Sequence, residues 1–351
     1  MRPNGQSGRR RWWLTAAEVG PPELYGPVVL LLSRREVEEL LDVDALIEEL
    51  AGAMVDLSRR RASVPHRVGA LVDDRDGLLA AMPGYTPSAA ALASKLVTLF
   101  PRNAGTGLPT HQAVIAVFDP VNGRPEALMD GTAITAIRTG AGSALATRLP
   151  RRSRSLARGV QARSHAYAVT RVRPFEELRV AGRDRAKADA LAKELASEIS
   201  PRVRVAGSWR EACDGADVVC ATTHAVEPVV RREWLAPGAH VTSVGYNPTG
   251  REVDDATVVE ALAVVESRAA ALAPFPAGSN DLLQPIEHGV ITADHVHAEI
   301  GELVDGSKPG RRSPEQITLY KSVGVAVQDG AAAALVLRAA RERGAGRELE
   351  L

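Results

Sequence analysis

The sequence predicts an α/β protein in which a doubly wound parallel sheet forms one of two domains. Three observations predict it. Short apolar segments, LRVAG (178–182), ADVVCATT (216–223), HVTSVG (240–245) and ALAVVES (261–267), alternate with helical or loop segments such as RAKADALAKELASEI and WREACDGA. That alternation is the pattern of a parallel sheet with helices on both faces. Ahead of it lies a strand-rich stretch containing SKLVTLF, HQAVIAVFDP and RPEALMD. Behind it, the segment 314–344 reads as a strong helix whose small-residue face suits packing against the first domain, so the chain is expected to cross back. A chain of 351 residues is long enough for both domains.

Residues 1–27 carry a basic cluster at Arg9, Arg10 and Arg11, but no long apolar core follows before Glu18 and the prolines. They read as a mobile N-terminal extension and not as an export signal. From Val28 the pattern becomes regular: VVLLL is strand-like, and residues 33–60 carry apolar positions at helical spacing behind Ser33, a good cap. Asn122-Gly123, between HQAVIAVFDP and RPEALMD, is the dipeptide of tight hairpins because both residues tolerate positive φ. Residues 129–149 read as one long helix rich in small residues.

Composition excludes several classes of function. Lys plus Arg equals Asp plus Glu at 43 each, so no global field attracts nucleic acid or an anionic membrane. No run of about 18 apolar residues exists for a membrane span. The two cysteines, Cys213 and Cys220, suggest neither a disulfide framework nor a zinc site, and a reducing cytoplasm is the expected location. The expected partner is small.

In a dinucleotide fold the first strand runs into a glycine turn, where bare backbone lets a pyrophosphate approach the next helix N-terminus. The candidate turn is LARGVQA (156–162), with Gly159, Val160 and Gln161 as the contact residues. It holds one glycine and follows PRRSRS, too charged for a buried parallel strand, so an ordinary loop is the competing reading. LRVAG ends about where an acid would bind the adenosine ribose, but Gly182 stands there, followed by Arg183, Asp184 and Arg185. A small residue followed by arginine suits a 2′-phosphate, which favours NADP(H) and leaves NAD(H) open; a solvated helix start is the alternative. His288, His295, His297 and Glu299 invite a metal, yet the period of two in a loop-like or helical segment separates them, and none is expected.

Several blocks together resemble the ornithine cyclodeaminase and mu-crystallin family. They are SKLVTLFPRNAGTGLPTHQAVIAVFDPVNGRPEALMDGTAITAIRTGAGSA, GVQARSHA, ADVVCATT, VGYNPTGREVD and IGELVDGSKPGRRSPEQITLYKSVGVAVQD. The resemblance implies a Rossmann-type domain (146–311) inserted in an α+β substrate-binding and dimerisation domain (28–145 and 312–351), assembled as a homodimer. It identifies Arg67 in VPHRVGAL, Lys95 in SKLVTLF and Arg138 in AIRTGA as substrate-site cations with catalytic roles. An arginine fork holds a carboxylate in two parallel hydrogen bonds, and a lysine beside it can protonate an imine nitrogen. Thr110, Arg138, Thr222, Ser243, Gly245 and Ser322 join the turn residues and Gly182, Arg183 and Asp184 as cofactor contacts, while Val323 and Asn247 face the substrate. Thr110 as a turn residue and Ser322 as a packing residue are the bland alternatives.

Asn247 stands where cyclodeaminases carry an aspartate, and an amide cannot act as a carboxylate base. Asp254 and Asp255, nearby, suit a helix cap and dipole partner. Against the family pattern the stretch 151–159 is about four residues short, with Ala157 in place of the first glycine. The expected function is NAD(P)H-dependent reduction of a ketimine carboxylate, or the reverse amino-acid dehydrogenation, on a small carboxylate-bearing amine or imine. An ornithine or lysine cyclodeaminase and a noncatalytic small-molecule binder with a degraded cofactor site are the alternatives.

Overall fold

The computed structural model describes residues 28–149, 162–274 and 277–350. The expected extension and the Gly159–Val160–Gln161 turn lie outside them. The first unit opens with β1 (Val28–Leu32), α1 (Arg34–Leu40) and α2 (Val43–Ser58). Residues 33–60, read as one helical stretch, are thus two helices. Ser33 caps α1 in a reciprocal box with Glu36, and Asp42 accepts from Ala45 N at 2.7 Å to start α2 on a new axis.

Five more strands follow: β2 (Val68–Val72), β3 (Gly77–Thr86), β4 (Ala91–Leu99), β5 (His111–Phe118) and β6 (Pro125–Asp130). With β14 (Arg347–Glu350) they form a seven-stranded sheet of order β14-β1-β6-β5-β4-β3-β2, antiparallel except where β1 pairs with β6. The β5–β6 hairpin is present, but its turn is wider than two residues. Gly123 alone takes positive φ (79°), while Asn122 donates to Asp119 and accepts from Arg124 N.

One face of this sheet is covered by α2, α3 (Gly131–Arg148) and α11 (Ala326–Arg343). Leu46, Leu50 and Met54 of α2 meet Ile115, Met129, Ile134 and the alanine face of α11 in a single core. Small residues set the spacing here. A Cβ on Gly84 would come within 2.9 Å of the Ala326 Cβ, and one on Gly140 within 2.5 Å of the Ser164 carbonyl in α4 (Ala162–Val172).

The second unit continues through β7 (Glu177–Val180), α5 (Arg185–Glu198), β8 (Arg202–Val205), α6 (Trp209–Cys213), β9 (Val218–Ala221) and β10 (His240–Ser243). After these come α7 (Asp255–Glu260), β11 (Leu262–Val265), α8 (Arg268–Ala271), α9 (Asn280–Glu287), β12 (Val296–Glu299), α10 (Ile300–Val304) and β13 (Thr318–Lys321). Five strands form an all-parallel sheet, β12-β11-β13-β10-β9, and β7 pairs with β8 in a parallel ribbon. This is the expected Rossmann-type architecture beside an α+β unit.

Two expectations need correction. The segment 314–344 is not one helix, because Thr318–Lys321 is a central strand of the parallel sheet and α11 begins only at Ala326. All four strand residues are buried, and a run buried on both faces has no period to separate strand from helix. The boundary drawn at 311/312 therefore falls ahead of a strand belonging to the second sheet. The segment around His297, read as loop or helix, is strand β12. His295 Nε2 lies 2.7 Å from Val258 O, His297 Nε2 lies 2.8 Å from Pro309 O, and Glu299 accepts from Arg268 N. Among the described residues no three His, Cys, Asp or Glu side chains group as metal ligands, and no helix is long and apolar enough to cross a membrane.

Candidate active site

Strand alternation turns Lys95 of β4 inward with Ala91, Ala93 and Val97, onto the face covered by α3 and α11. Arg138 projects from α3 and Asp329 from the first turn of α11. The three meet in the interior. Lys95 Nζ lies 2.7 Å from Asp329 Oδ2, and Arg138 Nε donates to Asp329 Oδ1 at 3.0 Å. Arg138 Nη1 donates to Gln328 Oε1 at 2.7 Å, and Lys95 Nζ reaches Thr135 Oγ1 at 3.4 Å. Lys95, Arg138 and Asp329 are all at most 5% exposed.

Burial dominates the electrostatics. It pulls the Lys95 ammonium down to about 8, with Asp329 opposing and Arg138 reinforcing the shift. Burial pushes the Asp329 carboxyl up, but Lys95 and Arg138 outweigh it and hold the group below its ordinary value. His111, at the start of β5 and paired with Leu99 of β4, drops to about 4 through burial and then Lys95 and Arg138, so its imidazole is neutral at pH 7.

Arg67 approaches from the segment before β2. Its Nη2 donates to Gly324 O at 3.1 Å and more weakly to Val323 O at 3.4 Å, in the link between β13 and α11. The amide side of that link is held by Glu266, which follows β11: Val323 N and Gly324 N donate to Oε2 at 2.9 Å each, and Ser322 Oγ to Oε1 at 2.7 Å. Gly324 has φ 75°, and a Cβ there would stand 2.8 Å from Arg138 Nη2.

The carboxyl ends of β9, β10 and β13 form the adjoining edge. Thr222, just past β9, has a buried Oγ1 without a hydrogen-bond partner, an orphan that a bound group would satisfy. Ser243 and Gly245 sit over a second buried ionic cluster. Lys321 Nζ contacts Asp281 Oδ2 (2.8 Å), Ser243 Oγ (3.0 Å) and Gly245 O (2.8 Å), while Glu252 accepts from Ser243 Oγ and Gly245 N. A Cβ on Gly245 would lie 2.1 Å from the Thr223 carbonyl.

The remaining expected residues fall at the periphery of these clusters. Asn247 is an Asx-type organiser: its Oδ1 accepts from Thr249 N and Gly250 N and its Nδ2 donates to His224 O. Asp184 is engaged as the cap of α5, accepting from Lys187 N, while Gly182 ends the β7 segment and Arg183 is exposed. Thr110 is exposed, and its carbonyl accepts from Phe100 N at 2.8 Å. Asp254 caps α7 and Asp255 lies in its first turn, as their sequence context suggests, and Asp255 also pairs with Arg251. Glu266, Asp329, Gln328, Lys321, Asp281 and Glu252 are site residues that sequence reasoning missed. A Gln-Asp pair on the small-residue face of the last helix was the available signal.

Fold and site together define an α/β protein in which the carboxyl edge of a Rossmann-type sheet adjoins a buried centre with cations in excess. The profile of the Ornithine cyclodeaminase/mu-crystallin family matches residues 28–344, and the chain belongs to that family. It is 39% identical over 315 residues to the ketimine reductase mu-crystallin of Mus musculus, covering 87% of this chain and 95% of that one. The structure of Thermococcus litoralis Delta(1)-pyrroline-2-carboxylate reductase in complex with NADH and L-proline matches with TM-score 0.86 and 38% identity, covering 92% and 100%. An archaeal alanine dehydrogenase dimer with bound NAD matches with TM-score 0.84 and 30% identity, covering 92% and 99%.

Proposed function

We propose that this protein is an NAD(P)H-dependent reductase of ketimine carboxylates, with amino-acid dehydrogenation as the reverse reaction. The observation that carries this is the buried Lys95–Asp329–Arg138 centre with Arg67 beside it. Two buried carboxylates, Asp329 and Glu266, answer three cations, so a substrate carboxylate held by the arginines would complete the charge balance. Lys95, held near 8, is mostly protonated at neutral pH and is matched to proton delivery at the imine nitrogen. When bound, the nicotinamide supplies the hydride to the imine carbon. Hydride at carbon and proton at nitrogen convert C=N to CH–NH in balance.

Thr222, Ser243, Gly245 and Ser322 would hold the cofactor along the strand ends, with Gly182 and Arg183 at the ribose end. The unpartnered Thr222 Oγ1 supports this placement. Arg183, exposed and without an ion pair among the described residues, supports a preference for the 2′-phosphate of NADP(H). Cyclodeamination requires a base that Asn247 does not supply, since its amide is committed to the 247–250 loop.

The active form would be a homodimer. On the open face of the seven-stranded sheet, Leu79, Leu96, Val114 and Leu128 are each at least 40% exposed; Leu96 stands opposite Val114, with Leu79 and Leu128 on the flanking diagonals. An apolar sheet face of this kind fits a second copy, and the archaeal alanine dehydrogenase neighbour is a dimer. The two buried, unpaired cysteines fit a cytoplasmic setting.

The test is turnover of Δ1-pyrroline-2-carboxylate followed by loss of reduced-nicotinamide absorbance, with calorimetry of NADPH and NADH alongside. Consumption of either cofactor with formation of proline is expected. Tight cofactor binding without turnover of any cyclic or open ketimine carboxylate would overturn the reading.

A further inference from the structure

We propose that Glu266 is a positioning residue for substrate recognition, acting through the 322–324 turn on Arg67. The inference rests on the assignment of Arg67 to the substrate carboxylate and deepens it. Register puts the two partners together: β11 and β13 pair in parallel with Val265 opposite Lys321, so Glu266 and Ser322 leave their strands side by side. Glu266 is fully buried and makes no ion pair among the described residues. A carboxylate is retained in such a place only when hydrogen-bond donors replace its water. Here they are Ser322 Oγ at 2.7 Å, Val323 N and Gly324 N at 2.9 Å, and Tyr320 OH at 3.4 Å.

One peptide unit, Val323–Gly324, joins Glu266 to Arg67: its N–H donates to Glu266 Oε2 and its carbonyl accepts from Arg67 Nη2 at 3.4 Å, while the next carbonyl, Gly324 O, accepts from the same Nη2 at 3.1 Å. Carboxylate, one peptide dipole and guanidinium are thus arranged in series. Each end lowers the cost of burying the other, and Glu266 counters the effect of burial on Arg67. Both contacts to the turn use Nη2, leaving Nη1 and Nε to donate to a ligand. The turn itself admits only glycine at 324, where φ is 75° and Arg138 passes within 2.8 Å of a would-be Cβ. This turn therefore touches both arginines, Arg67 by hydrogen bonds and Arg138 by close approach at Gly324. Both N–H groups donate to the single oxygen Oε2, and a glutamine oxygen could accept both, so E266Q removes the charge while leaving the hydrogen-bond pattern available and reads the effect of the charge itself.

The experiment compares affinities of pyrrole-2-carboxylate and pyrrole-2-carboxamide for the full-length protein loaded with whichever of NADH and NADPH binds. Wild type is expected to prefer the carboxylate by about tenfold or more, and E266Q to cut that preference by about fivefold or more, with cofactor affinity kept within about twofold. E266D, which keeps the charge on a shorter arm, is expected to restore part of the preference and gives the same comparison should E266Q not fold. An unchanged preference in folded E266Q, or in E266D where E266Q does not fold, or no preference in wild type, overturns the proposal. A ligand preference that depends on Glu266 in a protein without ketimine turnover would support this inference and sink the reductase reading alone.

Discussion

The molecule buries two ionic clusters of similar make-up, and they differ in what completes them. Around Lys321, the carboxylates of Asp281 and Glu252 outnumber the single cation, but backbone N–H groups absorb the excess: Asp281 accepts from Glu252 N and Val253 N at 2.8 Å each, and Glu252 from Gly245 N and Thr223 N. Around Lys95 the imbalance is of opposite sign, and backbone carbonyls meet only one nitrogen of Arg67. A cluster whose charges are closed by its own backbone fixes structure, here the loop at the cofactor edge. One left with cations in excess is arranged for an anionic ligand.

The largest effect expected from this contrast is on turnover. Lys95→Ala should lower kcat by about 100-fold or more while leaving cofactor affinity within about threefold. Unchanged turnover on a confirmed substrate would remove Lys95 from the chemistry. Lys321→Met should act on stability: stranding Asp281 and Glu252 without their cation costs about 3–5 kcal/mol, read by denaturant unfolding. Were Lys321→Met to abolish turnover in a fully stable protein, the distinction between the clusters would fail.

A smaller, sharper effect concerns pH. Because the protonated Lys95 is the donor, kcat should fall as pH rises through about 8. Asp329 raises the Lys95 pKa, so Asp329→Asn should move that limb to lower pH, by about one unit or more, and a pH–rate profile unmoved by the change would separate Asp329 from Lys95. Smallest in its effect on the isolated site, Leu96→Glu on the open sheet face should convert a dimer to monomer in sedimentation without loss of secondary structure.

Much of the fold was legible because local signals agreed with tertiary demands. Ser33 caps the helix that its position suggests, and the β5–β6 hairpin turns at Gly123. The strand at Thr318–Lys321 was hidden by its own environment, since a segment enclosed on both faces is apolar throughout and carries no period. The site divided along the same line. Arg67, Lys95 and Arg138 stood out inside motif blocks, whereas Asp329 offered only its place beside Gln328 on the small-residue face of α11 and Glu266 gave no local signal, because a lone acid in a sequence reads as solvated surface.

The sequence by itself determined the alternation of elements, the small-residue helices and the cations on which recognition depends, because these reside in local pattern and residue chemistry. Only the tertiary structure decided which acids answer those cations. Asp329 stands 234 positions after Lys95 and Glu266 stands 199 after Arg67, separations across which no periodicity carries information. Burial then set their chemistry: removing Lys95 from water brings its ammonium to about 8, and that desolvation exists only once β4, α3 and α11 have closed around it.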